Sequence, residues 1–420
     1  MRILFVVPYT PNRIRTRPLH MIRALRSAGH DVTVATLWTS DEERAGLGEL
    51  GLAPDRLIAE GQPLARSAWN CLRALAGSEP LQAHYSWSPR LAARLRQAVD
   101  DTAFDVVHVE HLRGVRYGLM LSSLVSGRPL RPALIWDSVD CISLLFERAA
   151  LASQVPQARL AARVELPRTR RYESWVGSRF DRLVVTSDAD RAEFLRLAQP
   201  TSDGRPATRV DVVPNGVDLD YFSPAPEVRE PLTLVITGKM SYHANVSAVR
   251  WLVDEVMPRI WSTLPAVRLW VVGKDPPRDL RKLGQPSHRP VDAASAVIPE
   301  ARVVVTGTVA DVRPFLRKAA LALAPIQYGV GIQNKVLEAM ACGTPVVATA
   351  KAVGSLRAQP GSEIVVASTP AEFAQAVVTL LEDPARRDRL GRAGRAFTER
   401  EHDWRQVGAA MTEIYRHARQ

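Results

Sequence analysis

The chain has 420 residues, 46% of them apolar and 24% charged, with a formal charge of +11. That length allows two domains with full cores, and the composition excludes a disordered chain. The three cysteines, Cys71, Cys141 and Cys342, are odd in number and far apart. They argue against a disulfide or zinc framework and for a reducing compartment.

The opening run MRILFVVP is too short for the core of a signal peptide and reads as a first strand. No segment approaches the ~20 apolar residues of a membrane span, so a cytoplasmic protein is expected. β-Branched runs predict strands at residues 3–7, 32–37, 106–109, 133–136, 183–186 and 210–213, with helices between them, including 18–28 and 158–178. The stretch PNGVDLDYFSPAPEVREP, residues 214–231, has neither period and reads as a linker. Strands resume at 232–237, 268–272, 302–306, 321–324 and 345–348, and residues 370–418 read as helical. Alternating strands and helices on both sides of a linker predict an α/β protein of two doubly wound domains, with ligands at the carboxyl ends of strands.

The excess positive charge is spread over both halves, which weakens a nucleic-acid reading. Two local basic runs stand out. Residues 1–30 hold six arginines and no acid, and residues 159–182 form a second run. They suit either a solvated face or contact with anionic head groups or a phosphorylated acceptor. The spacing of Trp69, Leu72 and Leu75 on a basic helix likewise fits a membrane surface or packing against a core. All six lysines lie in the second half, and Lys239, Lys274 and Lys335 follow or adjoin glycine loops. Where arginine is the default, lysine at such a loop suggests a compact point charge for a phosphate.

The most informative segment is YGVGIQNKVLEAMACGTPVVAT, residues 328–349. Gly329 and Gly331 precede a helix at 334–341, which Gly343, Thr344 and Pro345 stop before a β-branched strand. A glycine loop feeding a helix N-terminus presents free N–H groups and positive dipole to a phosphate. Lys335 and Glu338 share one helix face, so the lysine can meet a diphosphate and the carboxylate a ribose. An ordinary αβ unit has the same outline. The segment is neither a dinucleotide fingerprint nor a Walker loop.

With this segment, DVVHVEHL (105–112), FDRLVVTSDADRAEFLRL (180–197), VVPNGVDLDYF (212–222), TGKMSYHANVSAVRWLVDEVMPRI (237–260), VVGKDP and VTGTVADVRPFL (305–316), the sequence resembles the retaining family 4 glycosyltransferases of two-Rossmann (GT-B) architecture. Within them it is most similar to sugar transferases associated with exopolysaccharide and PEP-CTERM export. The resemblance covers nearly the whole chain. It implies two Rossmann-like domains facing each other across a cleft: residues 1–213 on the acceptor side, a linker at 214–231, and residues 232–395 on the donor side. A C-terminal helix at 396–420 is expected to pack back on the first domain.

The resemblance also implies roles. Glu338 matches the carboxylate on the donor ribose, and Lys239, after Gly238, the basic residue facing the diphosphate. Gly331 and Ile332 match the loop whose N–H groups meet diphosphate or sugar, and Lys335 the lysine of the GxGxxxK subgroup. Val309 lies in the loop 307–311 that edges the base, and Gly273 and Lys274 in the loop flanking it. Arg15, Arg17 and His108 fall on the acceptor side, with Arg17 facing the cleft. Val330 stands where many members have a sugar-contacting glutamate. Asp137-Ser138-Val139-Asp140 replaces the usual histidine segment, and PNRIRTR replaces the usual glycine of the first loop.

The expected activity is transfer of a sugar from a UDP-, GDP- or ADP-sugar to a glycan, lipid-linked or other hydroxyl acceptor. No metal or other cofactor is expected, because Lys239, Lys335 and the helix dipole can stabilise the diphosphate. Asp137 and Asp140 are either catalytic-site groups, orienting the acceptor hydroxyl or steadying charge, or helix N-caps. The pairs Asp188/Asp190 and Asp218/Asp220 read as a helix cap and linker residues rather than metal ligands. His108 is expected near the end of its strand, and His243 near the donor. Alternatives are a nucleotide-sugar epimerase or hydrolase on the same architecture, or a basic protein binding nucleic acid or membrane.

Overall fold

A computed structural model describes residues 1–13, 15–127, 130–152, 156–198, 209–226, 228–284, 302–327, 334–354 and 356–420. The chain divides into two compact units, Met1–Gly216 with Trp404–Gln420, and Val217–Asp403.

The first unit is built on a parallel sheet of seven strands: β1 (Arg2–Val7), β2 (Asp31–Trp38), β3 (Leu57–Gly61), β4 (Val106–Glu110), β5 (Ala133–Val139), β6 (Arg182–Val185) and β7 (Val210–Val212). Their order is β3-β2-β1-β4-β5-β6-β7. The order reverses between β1 and β4, where Ile3 pairs with Val106 and Phe5 with His108. Strands buried on both faces read as continuous apolar runs, which is why RILFVV and DVTVATLW are legible in the sequence. β3 is not, because LIAEG offers only a short, mixed pattern on the edge of the sheet.

Apolar layers cover both faces of this sheet. On one side the helix His111–Val125 lies tightly on β4. Added Cβ atoms at Gly114 and Gly118 would fall 2.9 Å from Val109 and 2.6 Å from Phe180, so small residues four apart set this approach. On the other side helix Thr16–Ser27 meets the C-terminal helix Trp404–Ala418, whose Trp404, Val407, Met411 and Tyr415 are buried at helical spacing.

The second unit carries a parallel sheet of six strands: β8 (Glu230–Thr237), β9 (Arg268–Val272), β10 (Val303–Gly307), β11 (Ala319–Ala324), β12 (Val346–Ala348) and β13 (Val365–Val366), in the order β10-β9-β8-β11-β12-β13. β8 starts at Glu230, inside the stretch read as linker, and β13 is too short to show a period. Helix Asn334–Ala341 stops where the sequence indicates. Gly343 takes φ 67°, its N–H donates to Met340 O, and Thr344 N–H donates to Ala339 O, a Schellman ending.

The helical end is three helices, not one: Pro370–Glu382, Pro384–Glu401 and Trp404–Ala418. Asp383 accepts the Arg386 N–H at 2.8 Å and Pro384 sits at the first helical position, so the chain must restart there. The second of these helices runs past residue 395 and stays with the second unit. The crossing back falls at Asp403–Trp404. No described helix is long and apolar enough to cross a membrane.

Because Met411 is buried in the first unit, Met411→Ala should cost about 2–5 kcal/mol. A urea midpoint left unchanged would show that the last helix is not part of that unit's core.

Candidate active site

In the second unit the sheet order reverses between β8 and β11, the position at which open α/β sheets bind ligands. Three glycine loops meet beside it. Gly238 N–H donates to Val272 O at 3.1 Å, Gly273 N–H to Gly307 O at 3.3 Å, and Met240 N–H to Lys274 O at 2.8 Å. Gly273 has φ 152°, and a Cβ there would stand 1.7 Å from Gly238 O. No other residue fits, since the two backbones themselves are in contact.

Above this crossing lies the amino end of helix Asn334–Ala341. Lys335 Nζ would be 3.3 Å from a Cβ at Gly238. It donates to Asn245 Oδ1 at 2.5 Å, and Asn245 Nδ2 donates to Lys239 O at 2.8 Å. Asn245 thus aims Lys335 and fixes the Lys239 peptide, a role its sequence context gave no reason to expect. Burial brings Lys335 down to about 8, opposed by Glu338. Glu338 is raised to about 7, again by burial and against the pull of Lys335. Its half-buried carboxylate has no hydrogen-bond or ion-pair partner among the described residues.

Lys239 and Lys274 are exposed in the loops after β8 and β9, and Val309 is half-buried against the core after β10. Gly238, Lys239, Gly273, Lys274, Lys335 and Glu338 are therefore brought together. Gly331, Ile332 and Val330 lie outside the described residues. His243 opens the helix His243–Trp251 and packs at 4.6 Å from the Tyr242 ring.

The first unit holds a different arrangement at the carboxyl ends of β1, β4 and β5. Arg17, 5% exposed, is not open to a ligand as expected. Its Nε and Nη2 reach Asp137 Oδ2 at 2.9 and 2.8 Å, and its Nη1 donates to Val213 O and Asn215 Oδ1 at 3.1 and 3.0 Å. His108 is not at a strand end either. It lies in the middle of β4, fully buried, stacked on Phe5 at 4.2 Å and 2.8 Å from Tyr415 Oη. Burial holds its imidazole near 4, so it is a neutral core histidine. Arg15 donates to Glu43 Oε1 at 3.1 Å and lies 5.0 Å over the Tyr9 ring.

Asp137 and Asp140 are not helix caps. The helix Ile142–Ala152 is capped by Glu173, which accepts from Ile142 and Ser143 N–H at 2.8 and 3.1 Å, while Asp190 accepts from Cys141 N–H at 2.9 Å. Asp140, lifted to about 6 by burial and by Asp190, accepts from Thr186 Oγ1 at 3.4 Å. Ser187 caps the helix Asp188–Leu197, its Oγ accepting the Asp190 N–H at 3.1 Å and donating to the Asp190 carboxylate, and Asp218 accepts from Tyr221 N–H at 3.0 Å.

Tyr9 and Glu110 complete the first unit's cluster. Tyr9 Oη donates to Glu110 Oε1 at 2.7 Å, and the buried Glu110 Oε2 has no hydrogen-bond partner. Burial and the charge of Asp137 push Glu110 to about 8. Among the described residues the non-glycine positions with positive φ are His111, Val139 and Asp275. Val139 ends β5, His111 directly follows β4 and Asp275 lies in the loop after β9, and such strain gathers at functional sites.

Residues 14–216 match the glycosyl transferase 4-like domain, and residues 231–383 match glycosyl transferases group 1. The chain is a glycosyltransferase. This glycosyltransferase is 30% identical over 268 residues to the D-inositol 3-phosphate glycosyltransferase of Kineococcus radiotolerans, a match spanning 57% of each chain. It is 23% identical over 424 residues to the phosphatidyl-myo-inositol mannosyltransferase of Mycobacterium leprae, covering 99% of this chain and 96% of that one. The crystal structure of Anabaena Alr3699/HepE in complex with UDP-glucose superposes with a TM-score of 0.62 at 16% identity, covering 99% of both chains. The two Rossmann-like sheets are thus those of a GT-B glycosyltransferase.

In the glycosyltransferase both clusters hold a carboxyl raised by burial, Glu338 in the second unit and Glu110 in the first. The second unit also offers cations and helix dipole to an anion. A carboxyl raised in the folded state favours folding below its unfolded value and loses that contribution as pH rises through the folded one. Stability of the wild type relative to Glu110→Gln should therefore fall between pH 4.5 and about 8. Urea midpoints of the two proteins that keep a constant difference over that range would show Glu110 ionised throughout.

Proposed function

We propose that the enzyme transfers a sugar from a nucleoside-diphosphate sugar held by the second unit to a hydroxyl group presented by the first, with retention of configuration and without a metal ion. The observation that carries this reading is Lys335, aimed by Asn245 across Gly238, beside a Glu338 carboxylate with no partner among the described residues. Glu338 accepts from ribose hydroxyls. The Lys335 ammonium, the exposed Lys239 and the dipole of helix Asn334–Ala341 receive the charge that builds on the leaving diphosphate.

The bond from the anomeric carbon to the diphosphate oxygen breaks as the acceptor oxygen bonds to that carbon on the same face. The acceptor proton passes to the departing diphosphate, so no separate base is needed. Asp137, occupied by Arg17, and Asp140, held by Thr186, act as positioning residues. The Asp137-Ser138-Val139-Asp140 segment supports a place among export-associated sugar transferases. The free thiols of Cys71, Cys141 and Cys342 suit a cytoplasmic enzyme.

Thermal melting with UDP, GDP, ADP or NAD, in the presence of EDTA, tests this reading. A diphosphate at ~100 times its dissociation constant adds about 2.7 kcal/mol, or a few degrees. The shift should appear with one nucleoside diphosphate and vanish in Glu338→Ala. Indifference to every diphosphate, or a shift that EDTA removes, would overturn the metal-free donor site.

A further inference from the structure

Arginines of the first unit commonly have a visible counter-charge: Arg17 grips Asp137, Arg94 grips Glu60 and Arg131 grips Asp181. Arg113 does not. It stands in the first turn of helix His111–Val125, directly beyond β4. Its guanidinium makes no hydrogen bond or ion pair with a described residue, and its Nε is shielded from solvent without a partner. Only its backbone N–H is engaged, donating to His111 Nδ1 at 3.3 Å. The guanidinium lies 4.7 Å over the Tyr85 ring. The groups that act on it electrostatically are Tyr85, Tyr9, Arg15 and Cys71, with no carboxylate among them.

A half-buried guanidinium stays protonated, so its charge is left without a counter-ion in a place where water cannot fully solvate it. Tyr9 carries the second guanidinium, Arg15, on its ring and turns its hydroxyl to Glu110. The two arginines on two tyrosines therefore stand at the carboxyl ends of β1 and β4, where the sheet order reverses. The strained His111, at φ 63°, makes the turn that delivers Arg113 there. Its imidazole is held neutral, near 3, by burial and by Arg113, so it supplies no competing positive charge.

We propose that Arg113 is the anchor of an acceptor subsite for a phosphate group, which the guanidinium fork can hold by paired charge-assisted hydrogen bonds. This rests on the reading of the first unit as the acceptor side. The phosphate can belong to a soluble ester or to a lipid. Helix Leu64–Leu75 is tied to the Tyr85 segment by Asn70, which donates to Tyr85 O and Trp87 O at 3.4 and 2.9 Å, and leaves Leu64, Trp69, Leu72 and Leu75 between 53% and 66% exposed.

The test uses the full chain with its donor site filled by the nucleoside diphosphate that shifts its melting. Inorganic phosphate is titrated by calorimetry into wild type, Arg113→Gln and Arg113→Lys. Phosphate should bind wild type, weaken by roughly tenfold or more in Arg113→Gln, and be partly restored in Arg113→Lys. An unchanged nucleotide-induced shift in both variants shows that they are folded.

Phosphatidylcholine vesicles with and without phosphatidic acid separate the two sources. Sedimentation that needs both phosphatidic acid and Arg113 assigns the phosphate to a lipid. Phosphate binding without sedimentation assigns it to a soluble ester. Wild type that ignores phosphate in both arms, or Arg113→Gln that binds like wild type, overturns the subsite and leaves the donor reading intact. Phosphate binding at Arg113 in a protein that no nucleoside diphosphate shifts would instead overturn the donor reading alone.

Discussion

Arg17 and Asp137 meet with 5% and 1% of their side chains exposed, and much of the first unit is arranged around that contact. Removing one partner of such a pair typically costs 3–5 kcal/mol, because the other charge is left buried and unpaired. The contact ties helix Thr16–Ser27 to β5. It also holds the segment leaving the sheet, through the Val213 carbonyl and the Asn215 side chain. His108 Nε2 lies 3.7 Å from the same carboxylate, and Tyr415 of the last helix meets the other nitrogen of that ring. One ion pair thus joins the chain's exit from the first unit to the helix with which it returns.

The same pair explains the chemistry of its neighbours. Asp137 supplies the negative charge that Arg17 requires, so a second carboxylate nearby gains no cation. Glu110 is accordingly held protonated well above the usual range, by burial first and by Asp137 next. In the second unit the relation is reversed. Lys335 is positioned by a neutral amide rather than a carboxylate, so its charge is aimed without being cancelled. Lys335 and Glu338 shift each other's titration without closing an ion pair. Each stays available to a ligand with both an anion and a hydroxyl donor.

The sequence makes the sheets legible because strands buried on both faces must be apolar along their length. It also exposes the helix after the glycine loop, since Lys335 and Glu338 lie on its partly exposed face and Gly343 marks its end. The first unit's cluster is far less legible. His108 and Asp137 sit inside their strands and Glu110 ends β4, and nothing in the apolar runs around them marks them as one buried cluster. Their partners Arg17, Tyr9 and Tyr415 are 120, 101 and 307 residues away from them in the chain. No periodicity reports such pairings, which only the register of β1, β4 and β5 creates. Asn245 was hidden for the opposite reason: its work is local, but an asparagine in a first helical turn has many other uses.

Burial alone does not mark a cation for a ligand, as Arg229 shows. Burial lowers the basicity of its guanidinium as it does that of Arg113, and it closes no ion pair among the described residues, although Asp388 acts on it from farther off. Yet Arg229 donates to the carbonyls of Leu316, Arg317, Ala319, Cys342 and Gly343 and to the Thr344 hydroxyl. Those acceptors disperse its charge over backbone dipoles and clasp β11 to the turn before β12, which is a structural role complete in itself. Arg113 has an aromatic face beneath it, and its guanidinium donates to no acceptor among the described residues. A ring face attracts a cation but satisfies none of its N–H donors. The difference between these arginines lies in whether the protein supplies oxygen atoms to the guanidinium edge. At Arg113 it does not, which is the ground for assigning a ligand phosphate to that edge.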